Sequence, residues 1–140
     1  MAELHYLLLQ IRDRDDPIRP QEVDCFARAI GCSAKDIDTL SLLDERLTAA
    51  KLRDVDAVLI GGSGDYSAAG EADWLDDALN DLRLLSDLRQ PTFASCWGFQ
   101  AIARALGGRC IHDPPHAELG TIELQLTEAG ATDPLFGELD

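Results

Sequence analysis

Apolar residues in this chain fall into two alternating rhythms, short unbroken runs and longer stretches with apolar positions three and four apart. Leu4 to Ile11 is a short apolar run followed by the polar, turn-prone Arg12-Asp-Arg-Asp-Asp-Pro17, which predicts a buried strand and a loop. Pro20 at a helix start, with Val23, Phe26, Ala27 and Ile30 behind it, predicts an amphipathic helix ended by Gly31. Ile37 to Leu43 is strand-like, and Thr48 can cap a short helix through Leu52. Ala57-Val-Leu-Ile60, the clearest strand of the chain, runs into the glycine turn Gly61-Gly-Ser-Gly64.

The second half repeats the theme and then departs from it. From Glu71 to Leu88 the residues Trp74, Leu75, Ala78, Leu82, Leu85 and Leu88 recur at helical spacing, with Asp73, Asp76, Asp77 and Asp81 read as a solvated opposite face. Gln90-Pro91 breaks that helix, Thr92 to Ser95 is a short buried strand, and Trp97 to Leu106 is a helix closed by Gly107-Gly108. Beyond it, Arg109 to His112 and Thr121 to Leu126 read as strands, with a loop at Ala129 to Pro134. Strand and helix in strict alternation predict an α/β domain with a mainly parallel sheet, helices on both faces, and sites at the carboxyl ends of the strands.

The 140 residues, 46% hydrophobic and 27% charged, suit one domain over 1–140. With 26 acidic against 12 basic residues the formal charge is -14, a surface that repels nucleic-acid phosphates and anionic lipid heads. No run is long enough for a membrane span, and no secretory signal is visible, so a cytosolic protein is expected. Cys25, Cys32, Cys96 and Cys110 form neither a C-x-x-C pair nor a Cys/His cluster at zinc spacing, so the reading assigns no metal, cofactor or disulfide framework.

Cys96 falls at the turn from strand to helix, with Gly98 two residues on. A nucleophile in such a turn stands exposed at the sheet edge. The free N–H groups and dipole of a helix N-terminus favour a thiolate there, which makes a cysteine reactive. The Trp97 amide is placed to stabilise an oxyanion. A lone intracellular cysteine is more commonly a small buried hydrophobe, so the turn alone leaves both readings open. For the first glycine turn the rival is nucleotide binding, but Gly62-Ser-Gly64 has Ser67 where a third glycine belongs and no Gly-Lys pair follows.

Cys96-Trp-Gly-Phe-Gln100, followed by a helix to Leu106-Gly-Gly108, resembles the C-x-G-x-Q motif of class I glutamine amidotransferases. Val58-Leu-Ile-Gly-Gly62 resembles their oxyanion strand and turn, and Ala117-Glu-Leu-Gly120, Leu126-Thr127 and Asp133-Pro-Leu-Phe136 resemble the segment after the nucleophile helix. Ala94, Phe99 and the loop Ser63-Gly-Asp-Tyr-Ser67 depart from the usual pattern. The resemblance implies a flavodoxin-like three-layer sandwich in which Cys96 attacks the side-chain amide of glutamine and releases ammonia through a thioester. Gly62 and Trp97 would donate to the oxyanion, and Gly61 and Gln100 would help hold the substrate. It also implies a synthase or acceptor domain as partner for the ammonia.

A thiol nucleophile needs a base oriented by a carboxylate. In the family this is a later His-x-Glu pair, and no such pair follows Leu126, so the domain reads as incomplete at its C-terminal part and weak as a glutaminase on its own. His116 with Glu118 copies the pair superficially but too early in the element order; His5, His112 and His116 read as strand and loop residues. The alternatives are a gamma-glutamyl peptidase-like cysteine hydrolase and a non-catalytic binding or regulatory remnant of the fold.

Overall fold

The computed structural model describes residues 4–117, 120, 121, 123 and 125–138. Over these the alternation forms an α/β fold: β1 (Tyr6–Ile11), α1 (Ile18–Ile30), β2 (Ile37–Ser41), β3 (Ala57–Ser63), α2 (Asp73–Asp87), β4 (Thr92–Ala94), α3 (Trp97–Ala105) and a short α4 (Glu128–Ala131). The strands lie in the order β2-β1-β3-β4 and all pair in parallel. Helix α1 covers one face, α2 and α3 the other, giving a flavodoxin-like three-layer sandwich.

Every residue of β1 is buried, which is why its apolar run shows no alternation. Leu7, Leu9 and Ile11 meet Leu75, Ala78, Leu79, Leu82 and Leu85 of α2 and Trp97, Ala101 and Ala105 of α3. Tyr6 and Leu8 point the other way, against Ala27, Val23 and Phe26 of α1. Each fully buried leucine is worth about 1.5–3 kcal/mol, so both helix layers are fixed by the pleat of one strand. Helix α1 starts at Ile18, ahead of Pro20, because Asp16 Oδ1 accepts from the Ile18 N–H at 2.8 Å. It ends as expected at Gly31, whose φ of 79° suits a left-handed cap.

The structure departs from the sequence reading in five places. Strand β4, expected to be buried, is an edge strand with Phe93 53% exposed. Thr48 to Leu52 forms turns rather than a helix, with Leu47 and Leu52 as buried anchors at either end. Arg109 to His112 forms no strand, and Ile111 is 71% exposed. The described residues of 121–126 form no strand, and 122 and 124 lie outside the described residues. The loop expected at 129–134 begins instead as α4, capped by Thr127 Oγ1, which accepts from Gly130 N–H.

The acidic face of α2 also needs correction at one position. Asp81 is 3% exposed. Its carboxylate accepts from the Leu47 N–H at 2.7 Å and from Arg46 Nη2 at 2.7 Å and Nε at 3.0 Å. Asp81 therefore fastens the β2–β3 connection to α2, while Asp73, Asp76 and Asp77 are exposed.

Candidate active site

Cys96 is the N-cap of α3, at φ 50° and ψ -116°. Left-handed φ is costly for a residue with a Cβ, and among the described residues only Arg89 shares it outside glycine. The neighbours impose it. Ser95 N–H donates to Ile60 O at 3.0 Å, ending β4 in register with β3, and Gly98 N–H donates back to Ser95 O at 2.9 Å. A Cβ on Gly98 would lie 2.6 Å from Ile60 Cγ2 and 2.9 Å from Ile60 O, so only glycine lets α3 start this close to β3. The thiol is thereby turned outward: Cys96 is exposed, against the reading of a buried hydrophobe.

Gly62 and Trp97 both lie beside this thiol. Strand β3 runs on through Gly61 and Gly62 to Ser63, further than its apolar run suggested. A Cβ on Gly62 would sit 3.6 Å from Cys96 Sγ, so the bare backbone of Gly62 faces the sulphur. The Trp97 N–H belongs to the first turn of α3, whose amides lack intrahelical acceptors. The Trp97 ring is 2% exposed and stacks on Trp74 with centroids 6.1 Å apart.

Gly61, expected beside the substrate, has α1 directly behind it. A Cβ there would collide with the carboxylate of Glu22 and lie 3.3 Å from Phe26. Glu22 is buried and accepts from Gln10 Nε2 at 3.1 Å and Arg12 Nε at 3.3 Å. Sequence reasoning missed this polar link because Gln10 lies within an apolar run and Glu22 looks like a helix surface residue.

Gln100 is exposed on α3 and lines a cleft of about 530 Å³ with Ser67, Ala69, Cys110, His112 and His116. His116 Nδ1 meets Asp113 Oδ2 at 2.9 Å and the side chain is 81% exposed. His5 lies at the opposite end of the sheet, before β1, where Nδ1 meets Asp54 O at 3.0 Å and Nε2 meets Asp38 Oδ2 at 3.1 Å. The structure thus brings Cys96, Gly62 and Trp97 together, sets Gln100 on the adjoining helix face, and separates His5 from them. Glu118 lies outside the described residues. Among the described residues, no group of three His, Cys, Asp or Glu side chains is placed to hold a metal ion, and no helix is long and apolar enough to cross a membrane.

No protein-family model matches this chain, and no curated protein is significantly similar to it.

Proposed function

We propose that this domain is a glutamine amidotransferase of class I type, with Cys96 as its nucleophile. One observation carries the reading: an exposed cysteine held at φ 50° between a parallel strand and a helix, its sulphur facing the backbone of Gly62. Such a turn presents a nucleophile at the carboxyl edge of the sheet, where open α/β folds bind ligands. The thiolate attacks the side-chain amide carbon of glutamine. The N–H groups of Gly62 and Trp97 hold the oxygen as it becomes negative. The proton lost by the thiol goes to the amide nitrogen, which leaves as ammonia, and water cleaves the thioester to glutamate and the free thiol.

Ammonia passes to a synthase or acceptor domain. The domain works in the cytosol, a reducing compartment that suits its four free thiols. A chloroketone analogue of glutamine tests the reading, because it alkylates a thiol only after docking as the substrate does. Labelling of Cys96 is expected to saturate with reagent, to be blocked by glutamine and to outpace the exposed Cys25. Labelling no faster than Cys25 would overturn the proposal. Protection by gamma-glutamyl peptides but not by glutamine would transfer the site to peptide hydrolysis.

A further inference from the structure

Arg104 lies one helical turn after Gln100 on α3, so the two share a face. It is half-buried, and Nη1 donates to Ala68 O at 2.8 Å and Gly70 O at 2.7 Å. Among the described residues it makes no ion pair, so this cation is committed to neutral carbonyls of the β3–α2 loop. That loop is otherwise held mainly from within: Ser63 Oγ donates to Tyr66 O, Ala69 N–H donates to Ser67 Oγ at 3.1 Å, and Gly70 N–H donates to Ser67 O at 3.4 Å. One further tie runs from Tyr66 OH to Asp13 Oδ1 at 2.5 Å.

The loop and the helix both line one cleft, which residues 109–117 complete. Ser67 and Ala69 line it from the loop, Gln100 from α3. Ala68, between the two loop residues, is fully buried, so the Arg104 bond to its carbonyl fixes the backbone at the point where Ser67 and Ala69 turn outward. The sulphur depends on different contacts, those of Gly98 with Ile60 and of Ser95 with Ile60. Loss of the Arg104 bonds therefore alters the width of the cleft and leaves the thiol in place.

We propose that Arg104 is a positioning residue for glutamine binding, setting the distance between the Ser67–Ala69 wall and Gln100. This rests on the reading of Cys96 as a glutamine-directed nucleophile. Saturation kinetics with the chloroketone analogue separate docking (KI) from alkylation (kinact). Arg104→Ala is expected to raise KI about tenfold, with kinact and the rate of plain iodoacetamide alkylation within about twofold of the parent. Amide hydrogen exchange should rise over residues 64–72, and Arg104→Lys should recover part of the affinity. Arg104→Gln, which keeps a donor but loses reach, gives the same comparison if the alanine variant does not fold. An unchanged KI beside a lowered melting temperature would make Arg104 a structural tie only, and would overturn this inference while sparing the function. Labelling of the parent that never saturates would sink both.

Discussion

The two glycines nearest the thiol are there for different reasons, and substitution separates them. At Gly98 a methyl group would overlap the Ile60 side chain and carbonyl, at 2.6 and 2.9 Å. Overpacking of that kind costs about 1–3 kcal/mol. At Gly62 the same methyl would reach only ordinary contact distance, 3.6 Å from Cys96 Sγ, but would stand beside the sulphur where the proposed mechanism puts the substrate oxygen. Gly98→Ala is expected to lower unfolding free energy in urea by about 2 kcal/mol. Gly62→Ala should stay within about 0.5 kcal/mol of the parent yet slow chloroketone labelling of Cys96 about tenfold. Equal losses of stability in both would refute the distinction. The motif Cys96-Trp-Gly98 made both the turn and its glycine legible from sequence. The Ile60 contact was not legible, because it joins residues far apart in the chain through the register of β3 with β4.

Between elements, the Arg46–Asp81 contact shows how one charge can fasten a connection that has no regular structure of its own. The turns at 48–52 bury Leu47 and Leu52, but the backbone before them is secured by the buried Asp81 carboxylate on the Leu47 N–H. The two partners are unequal. Arg46 is half exposed and also pairs with Asp77 at 2.6 Å, so its loss is screened by water, whereas removal of Asp81 strands a buried N–H. Asp81→Ala is expected to cost about 2 kcal/mol and Arg46→Ala no more than about 1 kcal/mol, measured by denaturant unfolding; the reverse order would refute the asymmetry. Helix α2 was readable from its apolar spacing, but Asp81 was not: its charge fits the polar stripe, and only the partner loop, 34 residues earlier for Leu47, draws it inside.

Across the whole molecule, alternation sets the layers, and His5 at the amino end of the sheet is a histidine whose titration is shifted by the fold. The Asp54 carbonyl at Nδ1 raises the pKa of His5 above its usual 6.5, reinforced by the Asp38 carboxylate and opposed by partial burial. Because the folded state favours the protonated ring, its contribution is complete below about pH 6.5 and disappears as pH rises through the higher folded value. The urea midpoint should therefore fall between pH 6 and pH 8, and His5→Asn should flatten that slope; an undiminished slope would assign it elsewhere. The α/β layering was legible because β1 and β3 are apolar runs set against the helical spacing of α1 and α2. The segment after α3 was not, since Arg109 to His112 pairs with neither edge strand, β4 or β2, and pairing between distant segments is not written in local spacing. At the other end of the sheet, the stacked Trp97 and Trp74 are the only tryptophans in the chain. All of its indole absorption thus comes from one coupled pair of chromophores whose buried member adjoins Cys96 in the chain, so the protein carries an intrinsic optical gauge of the α3 N-terminus and needs no added dye.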